Sequence, residues 1–508
     1  MVPAPLLRDG VGLYPRAIRL AHSGSANGRV IASVVTFAGN NGRGAIYESR
    51  DDGASFTLIG TVADAAASNG RGLCCASIYE LPAPVGRLPA GTLLWAGSVG
   101  ADTPNRRMQT RISASFDHGR TWSYLTTVAT AGNDRGMWEP ELTMSSNGQL
   151  VCIFSDETQQ PRHSQTLVRS VSSDGVNWST PTNVVALADP SARPGMAMIR
   201  RLPNRTYYMT YEICGPNHGC AVYYRTSIDG IGWGVPANAG TRVRTATGRY
   251  FAHTPSITWI DNGTPNGRIA LVGQILRRPD GSVAPENGNA VFLNTENGTG
   301  PWYEIPAPVA VPNPFNNYCP NYSSALLPTA SGTALLEIAT NYAADGVCKP
   351  YYATGPSVGS GTADGIRSGA LYRLIGVGGG NCLDVSADSR SPGGNIQVWT
   401  CNRLGPQDFL FRASQSGTFT LRGRNSGLCV GVTGGSTAPG ANVAQYPCDS
   451  SRGQNWRVVG VGRGYYTLVN QGSGHCLDVA GGSRLPGANV QQWLCNSLSP
   501  QIWYADPR

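Results

Sequence analysis

The chain has 508 residues and a net charge of +8, with 14% charged residues against 65 Gly and 35 Pro. This length exceeds a single core and calls for two or more domains, and the composition, without sustained helical periodicity, favours short strands and tight turns. No apolar run approaches the roughly 18 residues of a membrane-spanning helix, and the positive charge lies on scattered Arg residues rather than in a basic run, so neither a membrane nor a nucleic-acid partner is expected.

In chain order, MVPAPLLRDG lacks the charged start and apolar middle of a secretory leader, so the expectation is either an internal protein or a chain beginning at a mature terminus. Beyond it, SRDDGASF (49–56) and SFDHGRTW (115–122) share the pattern S-x-D-x-G-x-S/T-aromatic. SSDGVNW (172–178), SIDGIGW (227–233) and NTENGTGPW (294–302) are shortened or worn forms of it. Their spacing leaves room for four strands per unit, the size of a propeller blade. The Asp accepts backbone N–H groups within its own turn, Gly permits positive φ, and the aromatic plugs the hairpin. These stretches resemble the Asp box of sialidases and other propeller hydrolases, a structural device, so Asp51, Asp117, Asp174 and Asp229 are not expected to be catalytic. One unit before or after the five predicts a six-bladed β-propeller over residues 1–352.

A propeller places its chemistry where inner strands meet the central channel, so acidic residues inside apolar strands are the candidates. GMWEPEL offers Glu139 beside Trp138, CIFSDE offers Asp156, and TYYMTYEICG offers Glu212 beside Tyr211. A buried carboxylate is costly unless paired, which makes these residues functional candidates; a structural ion pair with Arg16 or Arg193 is the alternative on burial alone.

The set YPRA (14–17), MWEPEL, IFSDE, RPGM (193–196), MTYE and PNYSS (320–324) resembles glycoside hydrolase family 93. The resemblance spans most of residues 10–352 and implies an exo-acting α-L-arabinanase that releases arabinobiose from 1,5-linked arabinan with retention. Glu141 departs from the pattern, where an apolar or aromatic residue is expected after WEP. The resemblance implies Glu139 as nucleophile and Glu212 as acid/base, with the reverse order open. Arg16, Trp138, Asp156, Arg193, Tyr211 and Tyr322 are the substrate-binding candidates. Retaining enzymes hold their two carboxyl groups about 5–5.5 Å apart. A sialidase, with Tyr322 as nucleophile and Arg16, Arg193 and Arg249 as a triad, is one rival reading. A non-catalytic lectin is another.

Residues 353–369 read as a flexible linker, lacking aromatics and periodicity over most of their length. Beyond it, Cys382, Cys429 and Cys476 recur at a 47-residue period, each followed 19 residues later by a second Cys. The copies share C-L-x-V or a close form, then G-x-N-V-x-x-W/Y-x-C, then a Gln two residues before Phe409, Trp456 or Trp503. Residues 370–508 resemble the ricin B-type lectin of carbohydrate-binding module family 13, a β-trefoil. Such a lobe binds sugar through an Asp, a Gln or Asn and an aromatic platform. The resemblance assigns Asp384, Gln397, Trp399 and Asn402 to the first copy and Asp478, Gln491, Trp493 and Asn496 to the third. The second copy has Gly431, Ala444 and Tyr446 instead and is expected not to bind. The alternative is that these aromatics pack the trefoil core.

The repeated pairs Cys382/Cys401, Cys429/Cys448 and Cys476/Cys495 read as disulfides rather than zinc sites, and closeness suggests Cys214/Cys220 and Cys319/Cys348. Cys152 reads as a buried thiol, and the partners of Cys74 and Cys75 are left open. The expectation is therefore an all-β, secreted, monomeric carbohydrate-active protein acting on plant cell-wall polysaccharide. No motif implies a metal or organic cofactor.

Overall fold

The computed structural model describes residues 4–103, 105–357, 365–414, 417–449 and 451–508. Strands and short 3-10 turns make up the regular structure of these residues. The N-terminal part is a six-bladed β-propeller. Its innermost strands, Leu13–Arg19, Leu73–Glu80, Met137–Met144, Arg193–Arg201, Ser256–Ile260 and Ala325–Pro328, each touch the next, and the last touches the first, closing a ring around the axis. The sixth blade lies after the five Asp-box units, and the N-terminal segment closes it. Leu6 bridges Tyr351, Leu7 N–H donates to the Pro350 carbonyl, and Tyr352 N–H donates to the Pro5 carbonyl. This joins the two ends of the ring and covers a strand edge that would otherwise be open.

The Asp boxes behave as turn locks. Asp51, Asp117, Asp174 and Asp229 each accept a Ser hydroxyl two residues upstream and backbone N–H groups of their own turn. They sit between the third and fourth strands of their blades, remote from the innermost ring. In the worn fifth copy Asn294 accepts from Glu296 N and Gly298 N.

One feature repeats in all six blades and is not readable from periodicity. At the head of each innermost segment stands a non-Gly residue with left-handed φ: Tyr14 (51°), Cys75 (61°), Glu139 (59°), Met196 (58°), Thr254 (47°) and Ser323 (57°). In the first four blades a register shift marks a bulge at this point. A bulge interrupts the alternation of faces and re-aims the side chain. Pro15, Pro140 and Pro255 each follow the left-handed residue, so x-Pro is its sequence trace in three blades.

The C-terminal part is a trefoil built from three hairpins, Cys382–Val385 with Ile396–Trp399, Cys429–Val432 with Val443–Tyr446, and Cys476–Val479 with Val490–Trp493. The disulfides Cys382–Cys401, Cys429–Cys448 and Cys476–Cys495 staple them, as the spacing predicts. The two ends of each bond differ. Cys382, Cys429 and Cys476 are buried at the head of a strand, whereas Cys401, Cys448 and Cys495 are exposed, because each stands two residues past the end of its own strand, where the chain has left the core. Cys401, Cys448 and Cys495 are therefore surface anchors of structural staples and not members of a buried site. The core holds Phe409, Trp456 and Trp503 with Leu383, Val430 and Leu477. At the pseudo-three-fold axis Asn395, Asn442 and Asn489 form a closed ring, each side-chain amide donating to the next at 2.9–3.0 Å.

The trefoil packs on the outer edge of blade 5. Val377, Tyr465 and Ile502 join Tyr303, Ile305, Leu326 and Leu335 in one apolar cluster, and Arg463 N–H donates to the Glu304 carbonyl at 2.8 Å. The expected linker at 353–369 overlaps residues 358–364, outside the described residues; residues 353–356 extend the last strand of blade 6.

Candidate active site

The two carboxylates singled out in the sequence meet around the channel. Glu139, at the bulge of blade 3, accepts from Ser155 Oγ at 2.6 Å and from Met196 N at 3.0 Å. Glu212 lies on the neighbouring strand Tyr207–Cys214 of blade 4 and accepts from Thr254 N at 2.6 Å, with His253 Nδ1 at 4.0 Å. The close approach of blades 3 and 4 depends on Gly195, where a Cβ would come within 2.5 Å of Gln165 Nε2 and 3.1 Å of Ser155 Oγ.

Their electrostatics differ. Burial is the largest influence on both and disfavours the charged form. For Glu139 the resulting upward shift is opposed by the Ser155 and Met196 hydrogen bonds and by Arg193. Glu212 is pushed up to about 8, by burial first and the Glu139 charge second, against the Thr254 hydrogen bond and the Arg193 charge. His253 is driven down to about 4 by burial and Arg277, so a neutral imidazole faces Glu212 at pH 7.

Of the other candidates, Trp138, Arg193 and Tyr322 gather here. Arg193 pairs with Glu157 and donates to Gln165 Oε1 at 2.7 Å, and Glu157 is also held by Trp138. Tyr322 lies close enough for both Glu139 and Glu212 to raise its pKa further above the shift due to burial, and its ring is 6.4 Å from that of Tyr14.

Arg16 stacks 4.0 Å over the Tyr14 ring, donates to the Pro15 and Ser323 carbonyls, and thereby bridges blades 1 and 6. Its side chain also borders a separate cavity of about 510 Å³, together with Glu141, which is paired to Arg200. Two residues apart across the bulge, Glu139 and Glu141 thus serve different ends of the channel.

Asp156 and Tyr211 are corrections to the expected site. Along IFSD it is Ser155 that points at Glu139, so Asp156 faces away and accepts from Thr158 N and Gln159 Nε2. Tyr211, adjacent to Glu212 in the strand, is fully buried on the opposite face and donates to the Ala239 carbonyl. Strand alternation excludes both. Sequence reasoning missed Ser155, Glu157, Gln165, His253, Thr254 and the pair Cys74–Cys75, which is disulfide-bonded. Cys214–Cys220 and Cys319–Cys348 are also formed, the former beside Glu212, and Cys152 is a buried free thiol.

In the trefoil, Asp384 accepts from Gln397 Nε2 and Gln407 Nε2 at 3.0 and 3.1 Å, and Asp478 from Gln491 and Gln501 at 2.9 and 3.0 Å. Trp399 and Trp493 are 44% and 41% exposed, so they stand on the surface rather than in the core. Asn402 and Asn496 each accept from a backbone N–H two residues on, closing a local turn. In the second lobe a Cβ at Gly431 would lie 2.8 Å from Gln454 Cγ, so Gln454 fills the space an Asp side chain would need.

Residues 370–503 match the family model of the ricin-type beta-trefoil lectin domain. Over its N-terminal region the chain is similar to solved glycosidases. An α-L-arabinanase of Penicillium chrysogenum, solved with arabinobiose, is 26% identical with a TM-score of 0.57, covering 68% of this chain and 95% of the other. An α-L-arabinofuranosidase of Fusarium graminearum from glycoside hydrolase family 93, also with arabinobiose, is 25% identical with a TM-score of 0.55, covering 70% and 95%. No curated protein sequence matches significantly.

Proposed function

We propose that this chain is a secreted, retaining, exo-acting glycoside hydrolase that removes arabinobiose from 1,5-α-L-arabinan, with the trefoil (residues 370–508) holding the polysaccharide. The coarser part, carbohydrate hydrolysis joined to carbohydrate binding, is supported by the likeness to arabinobiose-bound glycosidases and by the lectin-domain match. The observation that carries the finer reading is the division of labour between the two carboxyls. Glu212, with its pKa pushed up to about 8, is a carboxylic acid at neutral pH and has the proton that a leaving oxygen needs. Glu139 is also raised by burial, but its carboxylate accepts two hydrogen bonds, from Ser155 Oγ and Met196 N, where Glu212 accepts one from Thr254 N, and these pull Glu139 back toward the ionised form a nucleophile needs.

In this mechanism Glu139 attacks the anomeric carbon as the C–O bond to the leaving sugar breaks, and Glu212 gives its proton to the departing oxygen. Glu212, now a carboxylate, takes a proton from water, which attacks the anomeric carbon and restores Glu139.

The sialidase reading loses support from the arginines. Arg249 is paired to Glu286 and Glu304 beside the trefoil interface, and Arg16 is spent on carbonyls and the Tyr14 ring, so no triad converges with Tyr322. Six disulfides support an oxidising, extracellular setting. In the trefoil, lobes one and three are proposed to bind sugar through Asp384/Trp399 and Asp478/Trp493. The test is a product time course on linear, debranched 1,5-arabinan. A single disaccharide from the first minutes supports the proposal; a ladder of sizes, or no product, overturns it.

A further inference from the structure

Cys74 and Cys75 are bonded to each other at the bulge of blade 2, the position that blade 3 gives to Trp138–Glu139 and blade 6 to Tyr322–Ser323. Cys75 is buried and Cys74 half-buried, and both pack in the cluster of Tyr14, Trp138, Met196 and Tyr322. The polar groups of the channel, Glu139, Arg193, Glu212 and His253, come from blade 3 round to the entry of blade 5. Blades 6, 1 and 2 supply Tyr322, Tyr14 under the Arg16 guanidinium, and the disulfide, an arc poorer in hydrogen-bonding groups on the side of blade 2.

Two ordinary roles for this bond are excluded by its place. A disulfide stabilises chiefly by removing loop entropy from the unfolded chain, and a bond between adjacent residues closes almost no loop, unlike Cys319–Cys348 with its separation of 29. Nor is it needed to set the backbone, because the other five blades reach a similar left-handed φ, 47° to 59°, at this point without a disulfide. What remains is the surface that two joined sulfurs present. It is polarisable and rigid, carries no hydrogen-bond donor, and suits a C–H face rather than a hydroxyl.

We propose that the Cys74–Cys75 disulfide is a binding platform against which the C–H face of a substrate furanose rests while its reacting carbon faces the carboxylates. This rests on the reading of the channel as a glycosidase site and adds a specificity element to it: a sugar that turns a hydroxyl toward the sulfurs is disfavoured.

The test compares wild type with Cys74→Ala/Cys75→Gly, in which glycine accepts the left-handed backbone, and with Cys74→Ser/Cys75→Ser. Steady-state hydrolysis of linear 1,5-linked arabino-oligosaccharides and calorimetric titration of arabinobiose are both read. The expected result is a rise of about tenfold in KM and in the disaccharide dissociation constant, with kcat within about threefold and a thermal midpoint lowered only by the loss of the buried Cys75 side chain. Unchanged KM and disaccharide affinity in the folded variants overturn the platform. A fall in kcat at constant KM overturns it too, by assigning the bond to holding Glu139's neighbourhood in shape. Should neither variant fold, wild type reduced at Cys74–Cys75 under native conditions, verified by mass mapping, is read the same way. Wild type that binds arabinobiose but releases nothing sinks the glycosidase reading alone, and the titration still decides the platform; wild type that does not bind it sinks both.

Discussion

Gly462 ends the trefoil strand Trp456–Gly462, against the blade 5 strand Tyr303–Ile305. A Cβ at this position would overlap the Glu304 carbonyl oxygen and come within 3.3 Å of Tyr303 Cδ2; these nearest neighbours all belong to the propeller. Gly462 does not have left-handed φ, so Gly462→Ala introduces no backbone strain of its own and acts only across the interface. For the carbonyl to regain ordinary contact the surfaces must part by about 1 Å, and overpacking of this kind costs about 1–3 kcal/mol. Parting them also breaks the Arg463 N–Glu304 O bond, worth about 1 kcal/mol. The total of about 2–4 kcal/mol is expected to lower the thermal midpoint of the 508-residue chain by about 2–4 °C and to split the melting of the two domains in scanning calorimetry. Gly453→Ala, where the nearest atom to the new Cβ is 3.4 Å away, is the control and is expected to be silent. An unchanged single transition for Gly462→Ala would refute the packed interface.

Glu212→Gln removes the transferable proton and is expected to lower kcat about 10²–10⁴-fold; in wild type, kcat/KM should fall as pH rises through about 8, the pH at which free Glu212 gives up that proton. Ser155→Ala takes one donor from the Glu139 carboxylate, raising its pKa, so the acid limb of the pH–rate profile should move to higher pH with about a tenfold loss in kcat/KM at pH 6. Glu337 is buried with one hydrogen bond, from Val309 N, and its pKa is raised to about 8, so the stability it contributes is full below pH 4.5 and is lost as pH rises through about 8. Glu337→Gln should therefore flatten the decline of unfolding free energy between pH 5 and 9 by a few kcal/mol, at about 1.4 kcal/mol for each tenfold change in the protonation equilibrium. In affinity electrophoresis on immobilised polysaccharide, Trp399→Ala and Trp493→Ala should each weaken retention, whereas Tyr446→Ala in the second lobe should not.

What the sequence discloses and what it withholds follow a physical line. The Asp boxes and the Cys-bounded hairpins are local devices, complete within ten to twenty residues, and they stand out as repeats. Glu139 and Glu212 stand out because a carboxylate in an apolar strand is costly. Asp156 and Tyr211 have suitable chemistry but the wrong parity, and the period of two rejects both beside Ser155 and Glu212. The bulges, the closure of blade 6 by residues near Leu6, and the docking of Tyr465 against Tyr303 are made by partners far apart in the chain, and only x-Pro at two of the bulges, Pro15 and Pro140, hints at any of them.

The ring of Asn395, Asn442 and Asn489 bears on the lobe that lacks an Asp and is expected not to bind sugar. Asn442 donates to Asn395 and accepts from Asn489, so removing the middle repeat would leave a donor and an acceptor facing nothing at the axis. The second lobe is thus a keystone: it fixes the angle at which its two neighbours present Trp399 and Trp493, and it does so whether or not it ever touches a sugar. Shortening the module to its two proposed binding lobes would not yield a smaller lectin but an arch without its centre stone.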